Sequence, residues 1–291
     1  MNTRGHRFGG DWTEQKLECV SKYLHSYTQI MKDRDFHFAY IDAFAGTGYR
    51  ELKHSEDIEI PSFLAGSARK ALEINPPFKE YVFIEENEDS YVELKNLADE
   101  FPNRNIECKN ANANQYLTDL CQEREWRTSR ALVFLDPYGM EVEWTTIELI
   151  AHTQAIDLWY LFPIGMGVSR LLKNNGKISM AHRRKLNRFF GTDDWFDKFY
   201  QLARQGSLFN DEDEVEKRDD ILPEIEQYFL KRLESVFARV AENPLPLRNS
   251  KNSLMYLLCF AAGNPNAPNA LKIAQEILEG VHDTAQQLLP I

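Results

Sequence analysis

Apolar residues along the chain fall into two spacings. The short segments HFAYIDAF (37–44), EYVFIEE (80–86), NIECKNA (105–111), ALVFLD (131–136) and DLWYLF (157–162) are rich in β-branched and aromatic residues and read as strands. Between them lie longer segments such as GSARKALEI and DSYVELKNLADEF, whose apolar positions recur at helical spacing. Strands alternating with helices predict a parallel sheet covered on both faces, and short apolar strands suit burial on two sides. The opening stretch DWTEQKLECVSKYLHSYTQIMK predicts a helix. Trp12, Leu17, Val20, Tyr23, Leu24 and Tyr27 share one face of it, and Thr13 is the expected N-cap.

The alternation breaks after residue 162. From Gly165 to about Tyr228 the pattern is helical with polar loops and no strand, which predicts a helical insertion. Within it NDEDEVEKRDD (210–220) reads as a solvated loop or helix start. SVFARVAE (235–242) and SLMYLLCFAAG (253–263), joined through NPLPLRNSKN, predict an antiparallel hairpin at one end of the sheet. The expected organisation is an entry helix and core over 1–164, a helical insertion over 165–230, and closing strands with a C-terminal helix over 231–291. The fold class is α/β.

With 291 residues, 43% of them hydrophobic, the chain suits one large domain or one domain with an insertion. A net charge of −11 argues against a protein coated in nucleic acid and leaves room for a local basic patch. Cys19, Cys108, Cys121 and Cys259 never occur as C-x-x-C, so isolated thiols are expected rather than a zinc site or a disulfide framework. His25, His37, His54, His152 and His182 have no metal-ligand spacing, and no metal is expected. The absence of a bilayer-length apolar run and of a leader predicts a cytoplasmic protein with no membrane partner.

The candidate chemistry begins in AYIDAFAGTGYRE (39–51). Ligands of open α/β sheets bind at the carboxyl ends of the strands, and DAFAGTG leaves the first strand at such an end. Gly46 and Gly48 permit positive φ and a close ligand approach, with Phe44 and Ala45 in the same turn. Glu51 stands where a dinucleotide fingerprint needs its third glycine, and there is no Gly-Lys-Ser/Thr P-loop. Asp42 would repel a pyrophosphate but take the ammonium of an amino-acid moiety. Glu85, ending the second strand, would take the hydroxyls of a ribose. Asn112, after the third, would accept from an adenine amine. Together the three describe S-adenosylmethionine.

This order of motifs resembles the class I S-adenosylmethionine-dependent methyltransferases. Within them WTEQKLECVSKYL, YIDAFAGTG, VFIEENEDS, LVFLDPYG, DLWYLFP and LMYLLCFAAGNP are most similar to the three-Cys-motif partner protein family (TcmP). The resemblance covers most of residues 11 to 280, the insertion least clearly. It implies a Rossmann-like seven-strand sheet whose last strand is antiparallel. It also implies a neighbouring three-cysteine-motif protein as partner, whose cysteines give the family its name. Class I enzymes often carry an acid where this chain has Asn112.

LVFLDPYGM ends the fourth strand. Asp136 and the carbonyl of Pro137 would give two acceptors, and Tyr138 an aromatic face, matching the two N–H groups and flat ring of a nucleobase amine. Nucleobase amine methyltransferases use Asp/Asn-Pro-Pro-aromatic. DPYG has one proline and resembles the Asp-Pro-Phe-Gly of tRNA guanine-N2 dimethyltransferases. The competing reading makes Asp136 a helix cap and Pro137 and Gly139 a turn. Residues 158 to 192 contain no Asp or Glu but carry Arg170, Lys173, Lys177, Arg183, Arg184, Lys185 and Arg188. Such a stripe would hold the phosphates of DNA or RNA, or is a solvated basic helix. Thr13 and Lys16 of the entry helix would close over the cofactor, or are a cap and a surface lysine. The expected function is methyl transfer to a nucleobase amine. The alternatives are a non-catalytic S-adenosylmethionine- or nucleic-acid-binding partner subunit and a small-molecule methyltransferase.

Overall fold

The structure, a computed structural model, describes residues 11–47, 49–51, 63–202, 215–218 and 220–287. Its sheet contains β1 (His37–Asp42), β2 (Glu80–Glu85), β3 (Ile106–Asn110), β4 (Ser129–Leu135), β5 (Ile156–Phe162), β6 (Arg239–Val240), β7 (Leu245–Arg248) and β8 (Leu254–Ala262). The order is β6–β8–β5–β4–β1–β2–β3, with β7 also paired to β8. β1 to β5 are mutually parallel, while β8 runs antiparallel to β5, Leu258 opposite Leu161. β6 and β7 both pair antiparallel with β8 and form one interrupted edge strand. Eight segments thus fill seven positions of a Rossmann-like sheet with an antiparallel last strand.

Alternation along each strand splits the interior in two. On β1, Phe38 and Tyr40 join one cluster of buried residues, and Ala39 and Ile41 the other. The first cluster lies under α1 (Asp11–Met31), α2 (Ser67–Leu72), α3 (Glu88–Asp99) and α8 (Pro268–Gln287), through Val20, Leu72, Leu94 and Leu278. The second lies under α4 (Ala113–Glu123), α5 (Trp144–His152), α6 (Met180–Phe190) and α7 (Ile221–Glu234), through Leu117, Ile147, Leu186 and Ile225. The segment after Gly165 therefore shares the core of the sheet. Phe162 of β5 stacks on Phe229 of α7 with ring centroids 3.8 Å apart.

Three expectations are corrected. The residues after Gly165 do contain a strand pair, Tyr200–Leu202 with Val215–Lys217, each three residues long and too short to give a readable period. Val215–Lys217 also falls inside the stretch expected to be a loop or helix start. The expected strand 235–242 begins only at Arg239, because Ser235 closes α7, and the edge resumes at Leu245 inside the expected turn. Thr13 is not an N-cap: α1 already begins at Asp11 and Thr13 is a buried residue within it. Cys19 and Cys259 are buried, and Cys108 and Cys121 half-buried. Among the described residues no helix is long and apolar enough to cross a membrane.

Candidate active site

The carboxyl ends of β1, β2 and β4 converge on one cavity of about 510 Å³. Phe44, Gly46, Glu85, Asp136 and Tyr138 all line it, so the structure brings together expected contributors from three strand ends. The turn after β1 is pinned on both sides: Ala43 N donates to Phe134 O at 3.1 Å and Ala45 N to Ile84 O at 3.0 Å. Ala45 is consequently buried and does not line the cavity. Gly46 then turns the chain at φ +60, and a Cβ built there meets no atom within 4 Å. The space beside this glycine is the cleft itself. Gly48 lies outside the described residues.

Glu85 is oriented by the backbone. Gly46 N donates to its Oε2 at 2.9 Å and Asn87 N to its Oε1 at 2.8 Å. Each carboxylate oxygen keeps capacity for a ligand hydroxyl. The residues present thus fit an adenosyl cofactor: an open glycine turn, an oriented acid at the second strand end, and a cavity within the usual ligand range.

Asp42 and Asn112 do not line this cavity. Asp42 is fully buried. Its carboxylate accepts from Tyr40 Oη at 3.3 Å. Burial pushes its pKa from 3.8 up to about 7, a Ser67 hydrogen bond opposing and the nearby Asp136 adding to the rise. Asn112 caps α4, its Oδ1 accepting from Asn114 N at 3.1 Å and Gln115 N at 3.3 Å. The oxygen expected to accept from adenine is engaged, and its Nδ2 donates to Glu86 Oε2 at 3.4 Å.

The loop after β4 carries the acceptor chemistry. Asp136 does not cap α5, whose N-cap is Glu143, seven residues on. Its Oδ2 instead forms an ion pair with Lys16 Nζ of α1. Lys16 is 5% exposed, so it is not a surface lysine, and it does not line the cavity. Its Nζ also sits 5.5 Å from the ring centroid of Trp12 and 5.9 Å from that of Phe134. Trp12 stacks on Tyr256 of β8 at 5.2 Å. Burial raises the Tyr256 phenol, with the nearby Asp136 and Tyr138 adding and Arg170 opposing. Tyr138 is 95% exposed, its ring open to a planar ligand. The Pro137 carbonyl, expected as a second acceptor, accepts from Gly139 N at 2.9 Å and bends back onto its own loop.

Asn114 fixes that loop, a role the sequence did not signal. Its Nδ2 donates to Glu141 O, and its Oδ1 accepts from Glu143 N and Thr146 Oγ1, all at 2.9 Å.

A second cavity of about 480 Å³ adjoins the first, sharing Phe44, Glu86 and Glu141 with it. Arg184, Lys185 and Arg188 of α6 line it. Arg188 also pairs with Glu143 at 3.4 Å. The other expected basic residues are elsewhere. Arg183 stacks over Phe196 at 4.6 Å, Lys173 and Lys177 are exposed outside both cavities, and Arg170 approaches Met166 Sδ at 3.1 Å. Phe189 and Phe190 are core residues.

No family model and no protein of curated function matches the sequence. Among solved structures, Trm1 from Pyrococcus horikoshii, in complex with S-adenosyl-L-methionine, aligns over 96% of this chain and 61% of its own, with 15% identity and a TM-score of 0.42. Protein LPL1258 from Legionella pneumophila, of the DUF519 family, aligns over 94% of both chains with 13% identity and a TM-score of 0.52. At that identity the similarity to LPL1258 concerns the fold alone: this chain shares a Rossmann-like α/β architecture over almost its whole length.

Proposed function

We propose that this chain is an S-adenosylmethionine-dependent methyltransferase acting on an exocyclic amine of a nucleobase in DNA or RNA. The observation that carries the reading is the shared cavity: Asp136 and Tyr138 line the same space as Gly46 and Glu85. That shared lining supports contiguous methyl donor and acceptor sites, which direct transfer requires. The adjoining cavity under Arg184, Lys185 and Arg188 supports a polyanionic substrate.

In this reading Glu85 takes the ribose hydroxyls and the Gly46 turn lets the cofactor pass close to the backbone. Held there, S-adenosylmethionine would supply an electrophilic methyl carbon for the amine lone pair, with its sulfur taking the C–S electron pair. Tyr138 stacks on the target base. Asp136 Oδ1 accepts no hydrogen bond among the described residues and receives the amine N–H. It thereby aims the nitrogen and takes up charge as the amine becomes cationic, before the surplus proton passes to solvent. Membership of the three-Cys-motif partner family remains part of the proposal, carried by the motifs in the sequence.

A second reading, a non-catalytic cofactor-binding subunit of a three-cysteine-motif protein, is favoured by one observation. Asp136 Oδ2 and the Pro137 carbonyl are both already engaged within the protein. Incubation with methyl-labelled S-adenosylmethionine and total cellular nucleic acids separates the two. Label in one nucleoside supports the enzyme; cofactor binding without transfer supports the subunit.

A further inference from the structure

Resting on the methyltransferase reading, we propose that Lys16 sets acceptor selectivity: by holding Asp136 in an ion pair, it closes the acceptor site to protonated alkylamines and leaves it open to the uncharged, planar amines of nucleobases. Lys16 is a positioning and specificity residue in this account, acting through Asp136.

The side chain of Lys16 is 6% exposed, and that of Asp136 22%. A buried ammonium is retained only where a partner compensates its lost hydration. Here the compensation comes from Asp136 and from the faces of Trp12 and Phe134. The Trp12–Tyr256 stack ties this cage to β8, so Lys16 is held against the carboxylate by the sheet as well as by charge.

The pairing changes what the carboxylate recognises. A lone carboxylate in a partly buried cleft attracts ammonium ions, and lysine side chains and polyamines are ammonium ions at neutral pH. Such a ligand would block the site, because a protonated amine has no lone pair to give. With Lys16 in place the pair has no net charge, and an ammonium at Asp136 meets like charge at close range, while Glu85, Glu86 and Glu141, which also line the cavity, act alike in the parent and the Lys16 variants. A nucleobase amine is uncharged, so this repulsion does not act on it. It needs one acceptor, and Asp136 Oδ1 is not engaged by any described residue.

The test is calorimetric titration of the full chain with n-butylammonium chloride at fixed ionic strength, which needs neither cofactor nor turnover. The parent and Lys16→Arg are expected to bind it weakly and alike. Lys16→Met, which keeps an unbranched side chain between Trp12 and Phe134, is expected to bind it at least about tenfold more tightly. Adding Asp136→Asn to Lys16→Met should abolish that gain. If Lys16→Met does not melt cooperatively, Lys16→Gln carries the same expectation. Equal affinity of the neutral variant and the parent overturns the proposal. So does tight binding by the parent. A parent that methylates no nucleic acid would defeat the functional reading instead, since the titration is read without any methyl transfer.

Discussion

The backbone N–H of Gly46 donates to Glu85 Oε2 at 2.9 Å, joining the turn after β1 to the end of β2. This bond fixes both the glycine turn and the carboxylate proposed to hold the ribose. Glu85→Ala should therefore weaken S-adenosylmethionine binding twice over, by removing the ribose acceptor and by freeing the turn. A loss of about 1–3 kcal/mol in calorimetric binding energy is expected, with little change in melting temperature because Glu85 lies at the cleft surface. Unchanged affinity would remove Glu85 from the site.

Gly46→Ala should act on both stability and binding. At φ +60 any side chain is strained, at a cost of about 1–2 kcal/mol, although the Cβ meets no protein atom. The same Cβ projects into the proposed cofactor space. Thermal melting should show modest destabilisation, and titration a loss of cofactor affinity of more than about tenfold, equivalent to about 1.4 kcal/mol. Valine, β-branched at a left-handed position, would confuse the two effects and is the poorer probe.

β1, β2, β4, β5 and β8 were legible because their interiors are almost continuously apolar. β3, an edge strand carrying Glu107, Lys109 and Asn110, was legible from its place in the alternation of strands and helices. The broken edge was not, because Pro244 and Pro246 flank and interrupt it and only four residues of β7 pair. The site was legible in part. Gly46, Glu85 and Asp136 follow from strand ends, which the sequence locates. The ion pair of Lys16 with Asp136 joins residues 120 apart, and no local pattern encodes it. Asn112 illustrates a competing demand: the first turn of α4 takes the oxygen that adenine was expected to use.

Asp42 gives a pH dependence with a defined sign. Burial raises its folded pKa from 3.8 to about 7. Between those values the unfolded chain has released this proton and the folded chain still holds it. Stability from this group therefore falls as pH rises through that window and levels off above it. Asp157, pushed by burial to about 6, acts in the same direction over a narrower range. Asp42→Asn should remove the Asp42 share, so the variant's advantage over the parent should grow between about pH 4 and 7. Melting curves of both proteins across that range check it; a difference independent of pH contradicts the assignment.

The basic residues of α6 should not contribute alike. Arg184, Lys185 and Arg188 line the cavity beside the proposed acceptor site, whereas Arg183 stacks on Phe196. Changing each of the first three to Glu should weaken nucleic-acid binding and reduce the log–log salt slope by roughly 0.7–0.9 for every phosphate left without its cation. Arg183→Glu should change the slope less and the melting temperature more. If all four variants keep the parent's slope, the stripe is a solvated face.

The most direct test is methyl transfer itself, measured by mass spectrometry of nucleosides from nucleic acid treated with labelled S-adenosylmethionine and either the parent or Asp136→Ala. The account predicts label on an exocyclic nitrogen of one base. It also predicts a fall in kcat of roughly 10²–10³ for Asp136→Ala, by analogy with removing one preorganised electrostatic partner, while calorimetric cofactor affinity stays at the parental value. Asp136→Asn, which keeps an acceptor oxygen, should be milder. Label on a ring carbon, on protein or on a small molecule would contradict the account, and so would parental transfer rates in Asp136→Ala.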